Sequence, residues 1–293
     1  MLMRSDKLVN EGSFRAKAES RFFGRQRKPD EAFGVYRRFA IAQTTSPEVA
    51  RVCQDGGVAT TLLLFALGKG IIDAALVAGA LPEDKFHPVP RLVSTTEEIL
   101  EAAGSKYTCS QNPITLASEA AKQGKTKVAF VGTPCQVQAL RRLQLADPSK
   151  LGFVKFSAGL MCSGCFTKEL ITDLVQKKLG IDPGSIVKMN IKGKLLITTT
   201  AGVTEVPLSE ANLYKREGCG ACHDFSSELA DVSIGGLGLD GWTFTVIRSE
   251  KGEELFTNAT EAGFLRTRPV GAEDSALRLL VRLSRKKHEH LAT

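Results

Sequence analysis

From residue 39 to about residue 150, short apolar runs alternate with amphipathic stretches of helical period. Residues 40–44 read as a strand, Asp55-Gly56-Gly57 opens an apolar helix that continues to Leu67, Gly70 punctuates, and 72–78 reads as a second strand. Residues 97–103 and 112–122 have helical spacing, 127–131 is a continuous apolar run of the kind found in buried strands, and 136–145 is helical again. This rhythm predicts an α/β fold: an open mixed sheet with helices on both faces, whose site is built by loops at the carboxyl ends of the strands.

The second half has a different texture, α+β rather than α/β. A strand at 153–160 precedes a helix at 168–179 that Gly180 stops, and 186–189, 195–200 and 203–206 read as short antiparallel strands. Residues 207–245 are rich in Gly and Cys and poor in regular period, as expected of loops wrapped around a cofactor. A final helix, 272–290, carries Leu277, Leu280 and Leu283 on one face and basic residues elsewhere. Residues 1–38 lack sustained periodicity and carry ten Lys or Arg against five acids, so they read as a basic extension outside the core. The expected organisation is therefore an extension (1–38), a first domain (39–150) and a second domain with the Cys and Gly loops and a basic terminal helix (151–293).

Composition narrows the function. The longest apolar runs, such as 58–67, fall far short of the ~20 residues a membrane helix needs, and the first residues have no secretion-signal core. A cytoplasmic location without a membrane span is the expectation, and there seven cysteines point to metal or redox chemistry rather than disulfides. Aromatic content of 6% disfavours a stacking reader of nucleic acid, while the net charge of +7 suits an acidic partner or a polyanionic cofactor equally well.

Five cysteines stand in three contexts: Gly132-Thr133-Pro134-Cys135-Gln136, Met161-Cys162-Ser163-Gly164-Cys165 and Gly218-Cys219-Gly220-Ala221-Cys222. Small neighbours let a chain curl around an inorganic core and present backbone N–H groups to metal-bound sulfur. Two C-x-x-C pairs would also suit structural zinc, but the 53 residues between them exceed the ~15–20 of a zinc ribbon. A zinc-stabilised nucleic-acid-binding protein thus stays open as an alternative on spacing. Cys53 and Cys109 stand alone and read as packed thiols.

On the other side of the chemistry, Gln54-Asp55-Gly56-Gly57 precedes the apolar helix, where backbone N–H groups and the helix dipole favour an anion such as a pyrophosphate. A plain tight turn is the competing explanation. A second loop, Gly104-Ser105-Lys106-Tyr107, offers hydroxyls, a cation and a ring, against which Gly104 as a helix cap and Lys106 as a solvated lysine are the bland readings. No G-x-G-x-x-G fingerprint is present.

These segments, with Gly159-Leu160-Met161-Cys162, Glu228-Leu229-Ala230-Asp231-Val232-Ser233 and Asp240-Gly241-Trp242-Thr243, resemble in order and content the beta subunits of coenzyme F420-reducing hydrogenase, F420-dependent formate dehydrogenase and F420H2 dehydrogenase, over residues 39–269 and most of all the hydrogenase beta subunit. The resemblance implies one FAD, one 4Fe-4S cluster and a place where F420 exchanges hydride with FAD. It implies Cys135, Cys162, Cys219 and Cys222 as iron ligands, with Cys165 a spare or substitute. It implies Gln54, Asp55, Gly56, Gly57, Gly104, Ser105, Lys106, Tyr107, Thr133, Pro134 and Gln136 along the FAD, with Asp240 and Trp242 at the F420 mouth. No protein acid or base is required for hydride transfer, so no catalytic side chain is expected. No ferredoxin-like segment accompanies these motifs, so electrons are expected from a partner subunit of hydrogenase, formate dehydrogenase, heterodisulfide reductase or quinone-linked dehydrogenase type. A related flavin and iron-sulfur reductase with a substrate other than F420 is the alternative within this class.

Overall fold

Every position from Val128 to Gly132 is buried, as its unbroken apolar run requires, because the strand has a parallel neighbour on each side. The computed structural model describes residues 2–81, 84, 86–149, 151–271 and 274–289, the side chains of 2–11 and 114 excepted. Its strands are β1 (Arg38–Thr44), β2 (Ala74–Gly79), β3 (Val89–Val93), β4 (Val128–Gly132), β5 (Val154–Leu160), β6 (Ile186–Ile191), β7 (Lys194–Thr199), β8 (Gly202–Pro207), β9 (Val232–Gly235), β10 (Thr243–Ile247) and β11 (Leu265–Arg268). Its α-helices are α1 (Leu2–Phe23), α2 (Pro47–Val52), α3 (Val58–Gly68), α4 (Thr96–Glu101), α5 (Asn112–Lys122), α6 (Pro134–Ala146), α7 (Leu208–Ala211), α8 (Glu250–Glu261) and α9 (Ser275–Glu289).

Eight strands form one mixed sheet in the order β11-β1-β10-β9-β5-β4-β2-β3, and β6-β7-β8 form a separate antiparallel sheet. In the large sheet β1, β2, β4, β5 and β9 point one way, while β3, β10 and β11 run against them. Alternation along β4 feeds both faces: Ala129 and Val131 join Leu62, Phe65 and Phe256 of α3 and α8, whereas Val128 and Phe130 join Leu116, Val137 and Leu140 of α5 and α6. The expected open mixed sheet with helices on both faces is the fold observed. The small sheet packs its own core, including Met189, Leu195 and Ile197, against a helical segment, Leu170–Lys178. That segment is wound wider than the α-helix expected there, with Leu179 N–H bonding back to Leu174 O.

Two expectations change. Residues 207–245 are not loop throughout: they supply β9 and β10 in the middle of the large sheet. The four residues of β9 and five of β10 are covered on both faces and so show no alternation, and Ser233 and Thr245 sit wholly buried within them. Nor do residues 12–38 stay outside the core. Phe14, Ala18, Phe22 and Phe23 of α1 pack with α5 and α6, and Arg15 and Arg27 reach Glu228, a residue only 1% exposed, at 3.0 and 2.6 Å. Two of the charges that made this stretch read as solvated, Arg15 and Arg27, meet a carboxylate some two hundred positions away, a partner that no local pattern reveals.

The expected terminal helix is present as α9, its expected limits at 272 and 290 lying outside the described residues. Ala276 and Leu280 of α9 pack on Ile41, Phe244 and Val246.

Candidate functional site

Loops that follow the carboxyl ends of the co-directional strands gather at one end of the large sheet: 45–57 after β1, 133–136 after β4, 161–165 after β5 and 236–242 after β9. The 104–110 loop is laced onto them, because Phe166 N–H bonds Tyr107 O at 2.8 Å and Phe166 bridges Thr108 on one side and Lys215 on the other.

Cys135 stands in the first turn of α6. Its neighbour Gln136 caps that helix by accepting from Thr133 N–H at 2.9 Å and donates to Ser110 O at 2.6 Å, tying the end of β4 to the 109–111 loop. Pro134 is buried at the first position, where a missing N–H costs nothing. The Thr133 hydroxyl lies 3.3 Å from Cys135 Sγ. Cys162 is fixed by its N–H to Phe225 O at 2.9 Å. Cys165 N–H points at Cys219 Sγ, 3.3 Å away, and Cys165 O accepts from Arg216 N–H.

Interaction with the Cys165 thiol, opposed by burial, draws Cys109, Cys162 and Cys219 below the ordinary thiol range, Cys109 to about 6 and Cys219 to about 5, while Cys165 is pushed far up. Cys135 and Cys222 are pushed up chiefly by burial, Cys222 to about 11, and the charges of neighbouring thiols add to the shift. Cys222 Sγ donates to Asp224 O at 3.5 Å. As they stand, no three His, Cys, Asp or Glu side chains among the described residues are disposed to hold a metal ion.

The structure therefore brings Cys162 and Cys219 together, sets Cys135 and Cys222 within electrostatic reach, and adds Cys165, expected as a spare or substitute, and Cys109, which sequence reading sets aside as a packed thiol. For Cys109 the available signal is its place one residue past the Tyr107-Thr108 loop. Cys53 stays apart, its Sγ on Asp55 O at 2.9 Å. Lys287 of α9 arrives at the same cluster, its Nζ 3.2 Å from Cys219 O, and nothing in the sequence connects it to the cysteines.

Beside the sulfurs lies a second mouth. Gly56 is pressed so closely on the sheet end that a Cβ would stand 2.5 Å from Ala42 O and 2.6 Å from Thr243 N, and Gly57 takes a left-handed φ of 72° to start α3. Among the described residues no side chain caps that helix, so its first-turn N–H groups face the loop region. Gln54 joins three segments: Oε1 accepts from Ser105 N–H at 3.5 Å, Nε2 donates to Met189 O at 3.0 Å, and its carbonyl accepts from Lys188 Nζ at 2.6 Å. Asp55 packs so near Gly236 that a Cβ there would strike its carboxylate. Burial pushes the Asp55 carboxyl up, against Lys188 and Lys192.

Tyr107 is pushed up by burial and by the Asp55 charge. Asp240 is exposed and pairs with Lys192, while Trp242 lies under Arg266 and Arg268, their guanidinium carbons 5.3 and 5.7 Å from its ring. Lys106 turns back on the chain that follows α4, Nζ donating to Ala103 O at 2.9 Å, to Ala102 O and to Gly104 O at 3.3 Å. Burial lowers it to about 8. Gly104, at φ 82°, turns the chain three residues past the end of α4. Lys188 and Lys192, in and just past β6, are the members of this mouth that sequence reading missed, since a lysine at a short strand carries no signal of what the strand packs against.

The description "Coenzyme F420 hydrogenase/dehydrogenase, beta subunit" matches two adjoining stretches, its N-terminal part over residues 39–117 and its C-terminal part over 125–273. The chain belongs to the coenzyme F420 hydrogenase/dehydrogenase beta subunit family. Among members of this family, the coenzyme F420 hydrogenase subunit beta of Methanothermobacter thermautotrophicus is 36% identical over 87% of this chain and 92% of its own. A coenzyme F420-dependent sulfite reductase of Methanocaldococcus jannaschii is 37% identical over 71% of this chain and 35% of its own length. A chain in a solved structure of the F420-reducing NiFe hydrogenase complex of Methanosarcina barkeri superposes with a TM-score of 0.85 at 34% identity, covering 91% of this chain and 93% of that one. The matched family stretches include both mouths described above.

Proposed function

We propose that this chain is a cytoplasmic iron-sulfur flavoprotein subunit of an F420-dependent oxidoreductase, exchanging hydride with F420 at a bound FAD and single electrons with a partner subunit through a 4Fe-4S cluster. The observation that carries the reading is the gathering of Cys109, Cys135, Cys162, Cys165, Cys219 and Cys222 at the carboxyl end of the sheet, the end at which α3 also starts uncapped. Relatives support its F420 side: their names share coenzyme F420 and differ in the rest, one a hydrogenase and one a sulfite reductase.

The donor set fits the cluster. Sulfur is the ligand iron-sulfur centres take, the Cys162 and Cys219 thiols are drawn below their ordinary range, and a buried cation accompanies them. Cys162 and Cys219 are the ligands we assign first, completed by Cys135 and Cys222. The Cys165 N–H bond to Cys219 Sγ and the pull of Cys165 on the Cys109 thiol favour a second completion, Cys109 and Cys165. The α3 start fits a flavin pyrophosphate, with Gly56 and Gly57 allowing close backbone approach. Gln54 and Tyr107 brace the loop against β6, and the Lys192–Asp240 pair flanks the opening.

When bound, FAD and the cluster supply the exchange between two-electron and one-electron chemistry. The chain's own part is to hold, orient and shield. Its donor subunit is of hydrogenase, formate dehydrogenase, heterodisulfide reductase or quinone-linked dehydrogenase type.

The test is anaerobic purification followed by iron, sulfide and flavin analysis and a stopped-flow assay of F420 reduction, read as loss of the deazaflavin's visible absorption. Stoichiometric FAD, about four irons and deazaflavin bleaching are expected. Flavin and iron without F420 turnover would favour the reductase of another substrate, and a colourless zinc protein would refute the reading.

A further inference from the structure

Lys287 is 7% exposed, and among the described residues no carboxylate pairs with its ammonium group. A buried cation without an anion is costly, so its surroundings must supply negative charge. They do: Nζ donates to Cys219 O at 3.2 Å, and its charge acts on the sulfurs of Cys162, Cys219 and Cys222. The next residue, His288, bonds Glu228 Oε1 at 2.7 Å, and Glu228 is held in turn by Arg15 and Arg27. That network pins the last turn of α9 in the register that aims Lys287 inward. The other cations nearby are more open to water: Arg216 bonds Cys109 from an exposed position, and Lys215, which acts on Cys219, is half-buried. Arg285 and Lys286 on α9 are exposed, where water and salt screen them.

Resting on the cluster reading above, we propose that Lys287 sets the reduction potential of that cluster: its fixed, desolvated positive charge stabilises the reduced form and so raises the potential at which the partner delivers its electron. A bound cluster would be reduced by one electron from the partner's carrier, which would be oxidised, with no proton moved. The added negative charge meets Lys287 in a low-dielectric setting, where a unit charge counts for far more than at the surface.

The test is a redox titration of the anaerobically purified full chain, followed by electron paramagnetic resonance, for wild type, Lys287→Met, Lys287→Gln, Lys287→Arg and the exposed control Lys286→Met. Both neutral variants are expected to fall by at least about 59 mV, a tenfold change in the one-electron ratio, while Lys287→Arg and Lys286→Met stay with wild type. Iron lost from both neutral variants and kept in Lys287→Arg supports the same charge acting on assembly. An unshifted midpoint in iron-replete neutral variants overturns the proposal, as does an equal shift or loss of iron in Lys287→Arg. A wild-type chain without iron sinks the cluster reading itself, a separate outcome visible before any variant is made.

Discussion

Arg141 Nη2 meets Asp231 Oδ2 at 3.0 Å with neither side chain reached by solvent. The pair joins α6 to the residue before β9, and it is completed by Leu229 O on the guanidinium and by Ser157 N–H, Ser157 Oγ and Ser249 Oγ on the carboxylate. Replacing Arg141 by Met leaves a buried carboxylate short of its cation. A loss of about 3–5 kcal/mol is expected in urea unfolding of the chain.

Acid should weaken the fold through the same carboxylate and through Glu228. Burial pushes Asp231 up, but Arg141 and Lys251 with the Ser249 and Ser157 hydroxyls bring it down to about 2 from an ordinary 3.8. Glu228 is likewise raised by burial and carried well below its ordinary 4.5 by Arg15, Arg27 and His288. Groups depressed in the folded state stabilise it fully above their unfolded values and lose that contribution as pH falls toward the folded ones. Asp224, raised by burial, works in the opposite direction as a single group. The urea midpoint should hold steady above about pH 5 and fall between about pH 4.5 and 2, with part of the slope gone in Asp231→Asn. A midpoint that is flat to about pH 3 would contradict this.

Serine replacements should sort the sulfurs. Iron per chain is expected to collapse in Cys162→Ser and Cys219→Ser and to be unchanged in Cys53→Ser, whose sulfur lies on the Asp55 carbonyl. Losses at Cys135 and Cys222 with retention at Cys109 and Cys165 identify the first completion; the reverse pattern identifies the second. Iron and labile sulfide assays on anaerobic preparations read either result.

Gly56→Ala would place a methyl group against two backbone atoms that cannot yield, Ala42 O and Thr243 N. Relief requires the 54–57 loop to lift from the sheet end, at about 1–3 kcal/mol. Flavin content should fall more than iron content, because the displaced backbone opens α3 rather than the cysteine loops. Equal losses of both would argue for general misfolding instead.

Much of this protein was written in local pattern. The βαβ rhythm of 39–150 is enough to announce a mixed sheet with helices on both faces, and the helical spacing of 112–122 marks both ends of α5. Runs such as 128–132 stand out because burial on both sides demands continuous apolar sequence. The glycine and cysteine loops could be named because their composition follows from what short turns need. What the chain did not disclose depends on neighbours far away in sequence. β9 and β10 carry buried Ser233 and Thr245, whose polarity is satisfied or enclosed only after folding, so the segment reads as loop. α1 is docked through Arg15, and the turn after it through Arg27, to Glu228, and Lys287 is set against Cys219 from the other end of the chain. Local propensity fixes elements, whereas the pairing of buried charges and the convergence of sulfurs are decided by three-dimensional packing, because the low-dielectric interior makes each charged group answer to whichever partner the fold brings within reach.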